Sequence, residues 1–378
     1  MKWYKKKYIV NSLLILSSIL LATLFAELVI FRLIFVAPDM PKLEFVDGIV
    51  KCKPNQKGVY RVLNEINAEY NINANGWNSI HDRYNINRSR NKYRIVIVGD
   101  SYVEALQVNY YESLAEQLEE ELGKDSFEVY RFGMSGAPMS QYLYIIRREV
   151  LAYKPDLIVV VLVHNDFVES YQTKSGVYTS SFLKLEVGDD GVIKEIKPRA
   201  LQKRWYSPIQ ENSAIWKFFA YRQQFRFDFL RNLIFEVDTI ANKYQANIPM
   251  STIEVNQVSN EAITNYIFSE LKKETESLGI ELLVVIDGDR LAIYDNNDSD
   301  DKKLYDSGAL SLNLIAKGAA ESNNIHFIDL HPVFKMDFEE NRKKFSFESD
   351  NHWNVYAHKI VANTIYEYIK SYKLMSQK

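Results

Sequence analysis

Ser101, Gly136 and Asn165 each stand just after a short apolar run rich in β-branched or aromatic residues, where a parallel strand would end. Open α/β sheets carry their reactive groups at the carboxyl ends of the strands, so the three are expected to converge on one crevice. Ser101 follows Gly99 and Asp100, a tight passage that would expose its hydroxyl as a nucleophile. A hydroxyl attacks weakly without a base, and the oxyanion it creates needs donors. The backbone N–H groups of Ser101 and Gly136 and the side-chain amide of Asn165 are suited to that task.

The base must be one of 6 histidines. His352 lies in Asp350-Asn351-His352-Trp353-Asn354, just before the last helical pattern, and a carboxylate two residues away can hold its imidazole in one tautomer. Asp329-Leu330-His331 repeats that spacing and is the rival, but it follows a strand directly and precedes Pro332. His352 is preferred because the apolar final helix would dock its turn over the sheet edge. His358 on that helix reads as a packing or capping residue, and His164 as structural. Taken singly, Ser101 or Asn165 could merely cap a turn; their common placement argues for chemistry.

The elements that must position these residues are legible as short runs. Strands are predicted over Ile95–Val98, Phe127–Phe132, Leu157–Val163, Leu282–Ile286 and Ile325–Leu330. Helical spacing joins them: Leu114, Leu118 and Leu122 before Gly123; Leu143, Ile146 and Val150; Ile263, Ile267 and Leu271; and Val361, Ile365 and Ile369. Five strands alternating with helices imply a doubly wound parallel sheet. The alternation breaks between Phe167 and about Ser259, where a Gly-Asp-Asp-Gly turn at 188–191 and an aromatic, basic stretch from Trp216 to Phe235 suggest an insertion. That stretch reads as the insertion's own small core, a lid over the crevice, or a face resting on a membrane.

The amino terminus carries Lys2, Lys5, Lys6 and Lys7, then an uncharged run from Tyr8 to Ala26. Its length approaches the ~20 residues that span a bilayer as a helix. Glu27 and Arg32 interrupt a second apolar stretch ending at Val36, where long side chains could reach the outer headgroups. The lysines place the amino end in the cytoplasm and the remainder in the periplasm or outside the cell. A cleaved signal peptide is the competing reading, but Leu24 fits poorly three residues before a cut after Ala26. The expected organisation is an anchor over 1–36, an extended approach segment over 37–92, a core over 93–166 and 260–373, and the insertion over 167–259.

The chain resembles the SGNH or GDSL-like hydrolase family, specifically its membrane-anchored bacterial members. The blocks that carry the resemblance are IVIVGDSYVEALQV with Ser101, FGMSGAPMSQ with Gly136, Asn165-Asp166 after DLIVVVLVH, and DNHWN with Asp350 and His352, together with the leader YNINANGWN. It implies a flavodoxin-like doubly wound five-stranded parallel sheet, with Ser101 as nucleophile, His352 as base and Asp350 as its orienter. Ser101, Gly136 and Asn165 would form the oxyanion hole. It implies no cofactor and no metal. His164 stands where the third block usually has glycine, and would crowd the crevice or add a titrating group. Asp350-x-His352 is shorter than the Asp-x-x-His of many esterases and is similar to alginate O-acetyltransferase-like members. The implied activity is hydrolysis of ester-linked acyl groups, with transfer to a glycan hydroxyl, or glycan binding without catalysis, as alternatives.

Composition bounds the rest. In 378 residues, 46 Lys and Arg against 49 Asp and Glu leave a net charge of -3, without the basic excess of a nucleic-acid binder. The single cysteine, Cys52, cannot form an intramolecular disulfide and lies in no lipobox. The acidic run Asp295 to Asp301 lacks the glycine and glutamate of a calcium loop and reads as solvated.

Overall fold

The computed structural model describes residues 2–88, 91–172, 181–188, 190–200, 205–224, 244–245, 248–249, 256–294 and 301–371. The chain divides into two compact units: Met1–Met40 with Gly58–Asn67 and Lys203–Val237, and the larger remainder, Pro41–Lys57, Ala68–Gln202 and Asp238–Lys378.

The larger unit is built on five strands: β1 Tyr93–Gly99, β2 Phe127–Gly133, β3 Leu157–Leu162, β4 Glu281–Ile286 and β5 His326–Asp329. All are parallel, in the order 5-4-3-1-2. This is the flavodoxin-like order, whose reversal between β1 and β3 opens a crevice at their carboxyl ends.

Burial on both faces explains the unbroken apolar runs in these strands. Val96, Val98, Val160 and Val284 face α4 (Met139–Arg148), α8 (Gln257–Glu276) and α10 (Ser311–Ser322), in a core with Leu143, Ile267, Leu271 and Ala316. Ile95, Ile97, Val159 and Val285 face α3 (Leu114–Leu122), α11 (Leu330–Asn341) and α12 (Val355–Ser371), packing on Leu118, Phe334, Val361 and Ile365. Each such side chain contributes about 1.5–3 kcal/mol by leaving water. Val150 lies one turn beyond α4, in the 3₁₀ helix Val150–Tyr153.

The segment after the anchor is more regular than its weak periodicity predicts. Leu43–Val46 and Ile49–Cys52 form an antiparallel hairpin around Asp47 and Gly48, whose φ angles of 53° and 86° give the doubly left-handed turn that matches strand twist. Lys184–Val187 likewise pairs antiparallel with Ile193–Ile196, with the Gly191 N–H donating to the Gly188 carbonyl between them.

In the smaller unit α1 (Lys2–Phe25) continues as a π-helix over Ala26–Ile34. Among the described residues, Lys6–Ile34 is the one helix long and apolar enough to cross a membrane, and none of its most apolar window is buried. Two short helices, α6 (Ser207–Asn212) and α7 (Ala214–Lys217), pack with it. Glu27 and Arg32 both bond to these helices. Glu27 accepts from Ser213 Oγ and from the Ala214 and Ile215 N–H groups, while Arg32 bonds Glu27 and the Asn212 carbonyl. Residues 225–235 of the aromatic stretch and 295–300 of the acidic run lie outside the described residues.

Candidate active site

The site is assembled from the turns by which the chain leaves each strand. β1 ends at Gly99, and α2 (Ser101–Glu104) starts at once, its N-cap Asp100 accepting from the Tyr102 N–H at 2.9 Å. So abrupt a turn needs glycine on two strands. A Cβ at Gly99 would lie 2.4 Å from Val103, and one at Gly133 would overlap the Val103–Glu104 backbone at 2.0–2.6 Å. Ser101 therefore heads a four-residue helix lying across the end of β2.

Ser101 Oγ is 2.7 Å from His352 Nε2, and His352 Nδ1 is 2.5 Å from Asp350 Oδ1. The same carboxylate oxygen accepts from the His352 backbone N–H at 2.8 Å. These contacts assign the proton to Nδ1, leaving the Nε2 lone pair for the serine hydroxyl. Burial pulls the His352 imidazolium towards deprotonation, but the Asp350 hydrogen bond and charge more than offset it, so its pKa lies above the usual 6.5. Asp350 is correspondingly held below 3.8: burial raises it, and the contacts with His352 outweigh that.

Gly136 and Asn165 lie in the turns that follow the two strands hydrogen-bonded to β1. In register, Gly99 pairs with Gly133, three residues before Gly136, and Val98 pairs with Val160, five before Asn165. Gly136 is exposed at φ 74°, and Asn165 is the partly exposed first residue of α5 (Asn165–Glu169). Glu104 fixes the Gly136 loop, its buried carboxylate accepting from the Ser135 N–H at 3.0 Å and from the Ser135 hydroxyl. The same short helix thus carries the serine at one end and a clamp on the Gly136 loop at the other. Burial raises the Glu104 pKa.

Other residues singled out by sequence lie elsewhere. His164 is wholly buried, with Nε2 3.0 Å from Asn313 Oδ1. His331, also buried, sits inside α11. His358 Nδ1 accepts from the Leu114 N–H that opens α3, and burial drives its pKa down to about 3, so it stays neutral. Cys52 is buried 3.7 Å from Glu104. Among the described residues no group of three or more His, Cys, Asp or Glu is placed to hold a metal.

A supporting layer escaped the sequence reading. Asp287, just past β4, accepts from Trp353 Nε1 at 3.1 Å and pairs with Arg290 at 3.0 Å. Arg290 donates to the Tyr102 hydroxyl at 2.6 Å, and that hydroxyl donates to the Asn351 carbonyl at 3.0 Å. Neighbours of Ser101 and His352 are thereby tied together. The signal was a fourth strand end, Asp287-Gly288-Asp289-Arg290. Beneath the serine turn, Asp100 and Asp166 are both buried; burial raises each, Asp100 to about 6, and the Asp100 charge adds to the rise at Asp166.

Comparison with solved structures finds an acetyl xylan esterase with 15% identity, covering 73% of this chain and 99% of that one at a TM-score of 0.39. An acetylxylan esterase from Geobacillus stearothermophilus shares 12% identity over 73% and 93% of the two chains at 0.39. A lipase/acylhydrolase from Enterococcus faecalis shares 13% over 74% and 96% at 0.37. No curated protein sequence matches this chain. The five-stranded parallel sheet with helices on both faces is a doubly wound α/β fold with flavodoxin-like strand order. A family model without a functional description matches residues 67–279, more than half of the chain, and the chain belongs to the family which that model defines.

Proposed function

We propose that this chain is a membrane-anchored, extracytoplasmic serine esterase of the SGNH type, acting through an acyl-serine on ester-linked acyl groups such as those of envelope glycans. The observation that carries the reading is the continuous line from Ser101 Oγ through His352 to Asp350 at the crevice end of the sheet. In this reading Ser101 attacks the ester carbonyl as His352 takes its proton, and Asp350 steadies the imidazolium. The oxyanion is held by the N–H groups of Ser101 and Gly136 and the Asn165 amide. His352 then protonates the leaving alkoxide and draws a proton from the second nucleophile, which resolves the acyl-serine. No metal or organic cofactor has a step in this chemistry. Residues 93–166 and 260–373 form the catalytic core, with 167–259 inserted between them and residues 1–36 as anchor.

The test is a fluorophosphonate probe on the full chain in detergent. Labelling of the wild type that disappears in S101A, with peptide mapping to Ser101, supports the reading; an unlabelled folded protein removes it in favour of glycan binding. The Asp350-x-His352 spacing favours transfer as the second reading. Turnover of p-nitrophenyl acetate that proceeds equally without an oligosaccharide acceptor counts against an obligate transferase.

A further inference from the structure

The smaller unit carries apolar side chains that its own packing leaves uncovered. Trp205 is 86% exposed, Ile209 54% and Phe219 39%, all on or beside the short helices that pack with the anchor. We propose that residues 205–222 form a platform lying in the headgroup layer of the outer leaflet, beside the helix that spans the bilayer. The inference rests on the membrane-anchored reading and adds a second lipid contact to it.

The depth follows from the helix itself. Glu27 lies 19 residues beyond Tyr8, about 28 Å along an α-helix, close to the ~30 Å of a hydrocarbon core. With Tyr8 at the inner boundary, Glu27 reaches the outer one. There its carboxylate accepts from the first turn of α7, at 2.7 Å from the Ala214 N–H and 3.1 Å from the Ile215 N–H. That contact sets α6 and α7 at the level where hydrocarbon gives way to headgroups.

Further contacts hold the platform there. The Phe31 ring lies 4.8 Å from that of Phe218, tilted, and 5.5 Å from that of Phe219, edge-on, and Arg222 donates to the Val36 carbonyl at 2.6 Å. Leu28, Leu33, Ile34 and Phe35, within about two turns beyond Glu27, are also exposed and add apolar surface near this depth. The Glu27–Arg32 pair forbids deeper immersion, because both charges would have to leave water. Tryptophan beside tyrosine, with Lys217 and Arg222 nearby, is the composition that settles at a membrane–water boundary. A lipid surface is therefore the occupant, since the span that fixes the platform's height also brings the bilayer to it.

The experiment uses the full chain in nanodiscs of phosphatidylcholine and phosphatidylglycerol whose acyl chains carry bromine either near the headgroup or near the chain end. Subtracting the fluorescence of W205F isolates Trp205, and far-UV circular dichroism checks that the variant is folded. The Trp205 signal is expected to fall at least about two-fold more with shallow bromine than with deep bromine, as for an interfacial indole. A Trp205 signal untouched by either lipid, in protein that resists alkaline extraction from vesicles, overturns the platform while the anchor stands. Protein released by alkaline extraction overturns the anchor, and the platform with it.

Discussion

Two turns in this molecule share one pattern and do different work. Asp329-Leu330-His331 and Asp350-Asn351-His352 both place a histidine two residues after an aspartate, and in both the first carboxylate oxygen accepts from the histidine's own backbone N–H, at 2.9 and 2.8 Å. The difference lies in what the chain does next. After Asp329 it coils directly into α11, so His331 is built into a helix and the carboxylate is shared with Asn313 and Tyr305. After Asp350 the chain runs four residues outside any helix before α12, with Trp353 bridging back to Ser346 and burying its indole against Asp287. That leaves the His352 ring able to fold onto Asp350 and to offer its far nitrogen to Ser101. Spacing supplies a partner for the imidazole; the following backbone decides whether the ring can use it.

The comparison breaks most sharply at the imidazoles. H352A is expected to reduce fluorophosphonate labelling and ester turnover by about 10⁴–10⁶-fold, because it removes the imidazole in contact with Ser101 that is proposed as the base. H331A is expected to keep both within a few-fold while lowering stability by about 1–3 kcal/mol, as loss of a buried side chain does. Equal inactivation by the two would mean that the second turn also serves the reaction.

Next come the carboxylates. D350A is expected to cost about 10³–10⁴-fold in turnover, and D329A about 1 kcal/mol of stability through loss of an N-cap, with turnover nearly unchanged. A pH profile sharpens this. Activity needs neutral His352, so it should rise with pH through a pKa above 6.5 in the wild type. Without Asp350, burial and the Arg290 charge are opposed only by the smaller effect of the Asp100 charge, and the rising limb should move to lower pH.

The same pair bears on stability. Asp350, lowered in the folded protein, stabilises it above about pH 3.8 and loses that contribution as pH falls through its depressed pKa. His352, raised, stabilises it below about 6.5 and loses that as pH rises through its folded pKa. The Tm difference between wild type and D350A should therefore be largest between those two values, and a flat difference would deny the ion pair.

The strands were legible because runs such as Ile95–Val98 have few other uses, and Gly99, Gly133 and Gly123 stop or turn the chain where sequence alone suggests. The two Asp-x-His turns were not separable by spacing; the preference for His352 came from the helix just after it. Arg290 went unread because an Asp-Gly-Asp-Arg cluster looks like any solvated turn, and only the fold shows it 7% exposed. The hairpin at Asp47-Gly48 did leave a signal, an Asp-Gly pair between apolar residues. Glu27 and Arg32 were out of reach, since their partners lie about 180 residues away in sequence.

The smallest expected effect separates positioning from charge around His352. Y102F removes the hydroxyl that links Arg290 to the Asn351 carbonyl but keeps the ring 5.0 Å from His352 and 5.1 Å from Trp353. Losing about 1 kcal/mol of hydrogen bonding should slow turnover roughly 5-fold. The imidazole pKa should stay put, because the Arg290 charge remains. R290M deletes the charge that pulls His352 down, so its rising limb should shift to higher pH. If Tyr102 acts by holding the two turns in register, Y102F lowers the plateau and R290M alone moves the limb. A limb displaced equally in both would show that the hydroxyl matters only for how it orients the guanidinium, and that the tie to Asn351 contributes little.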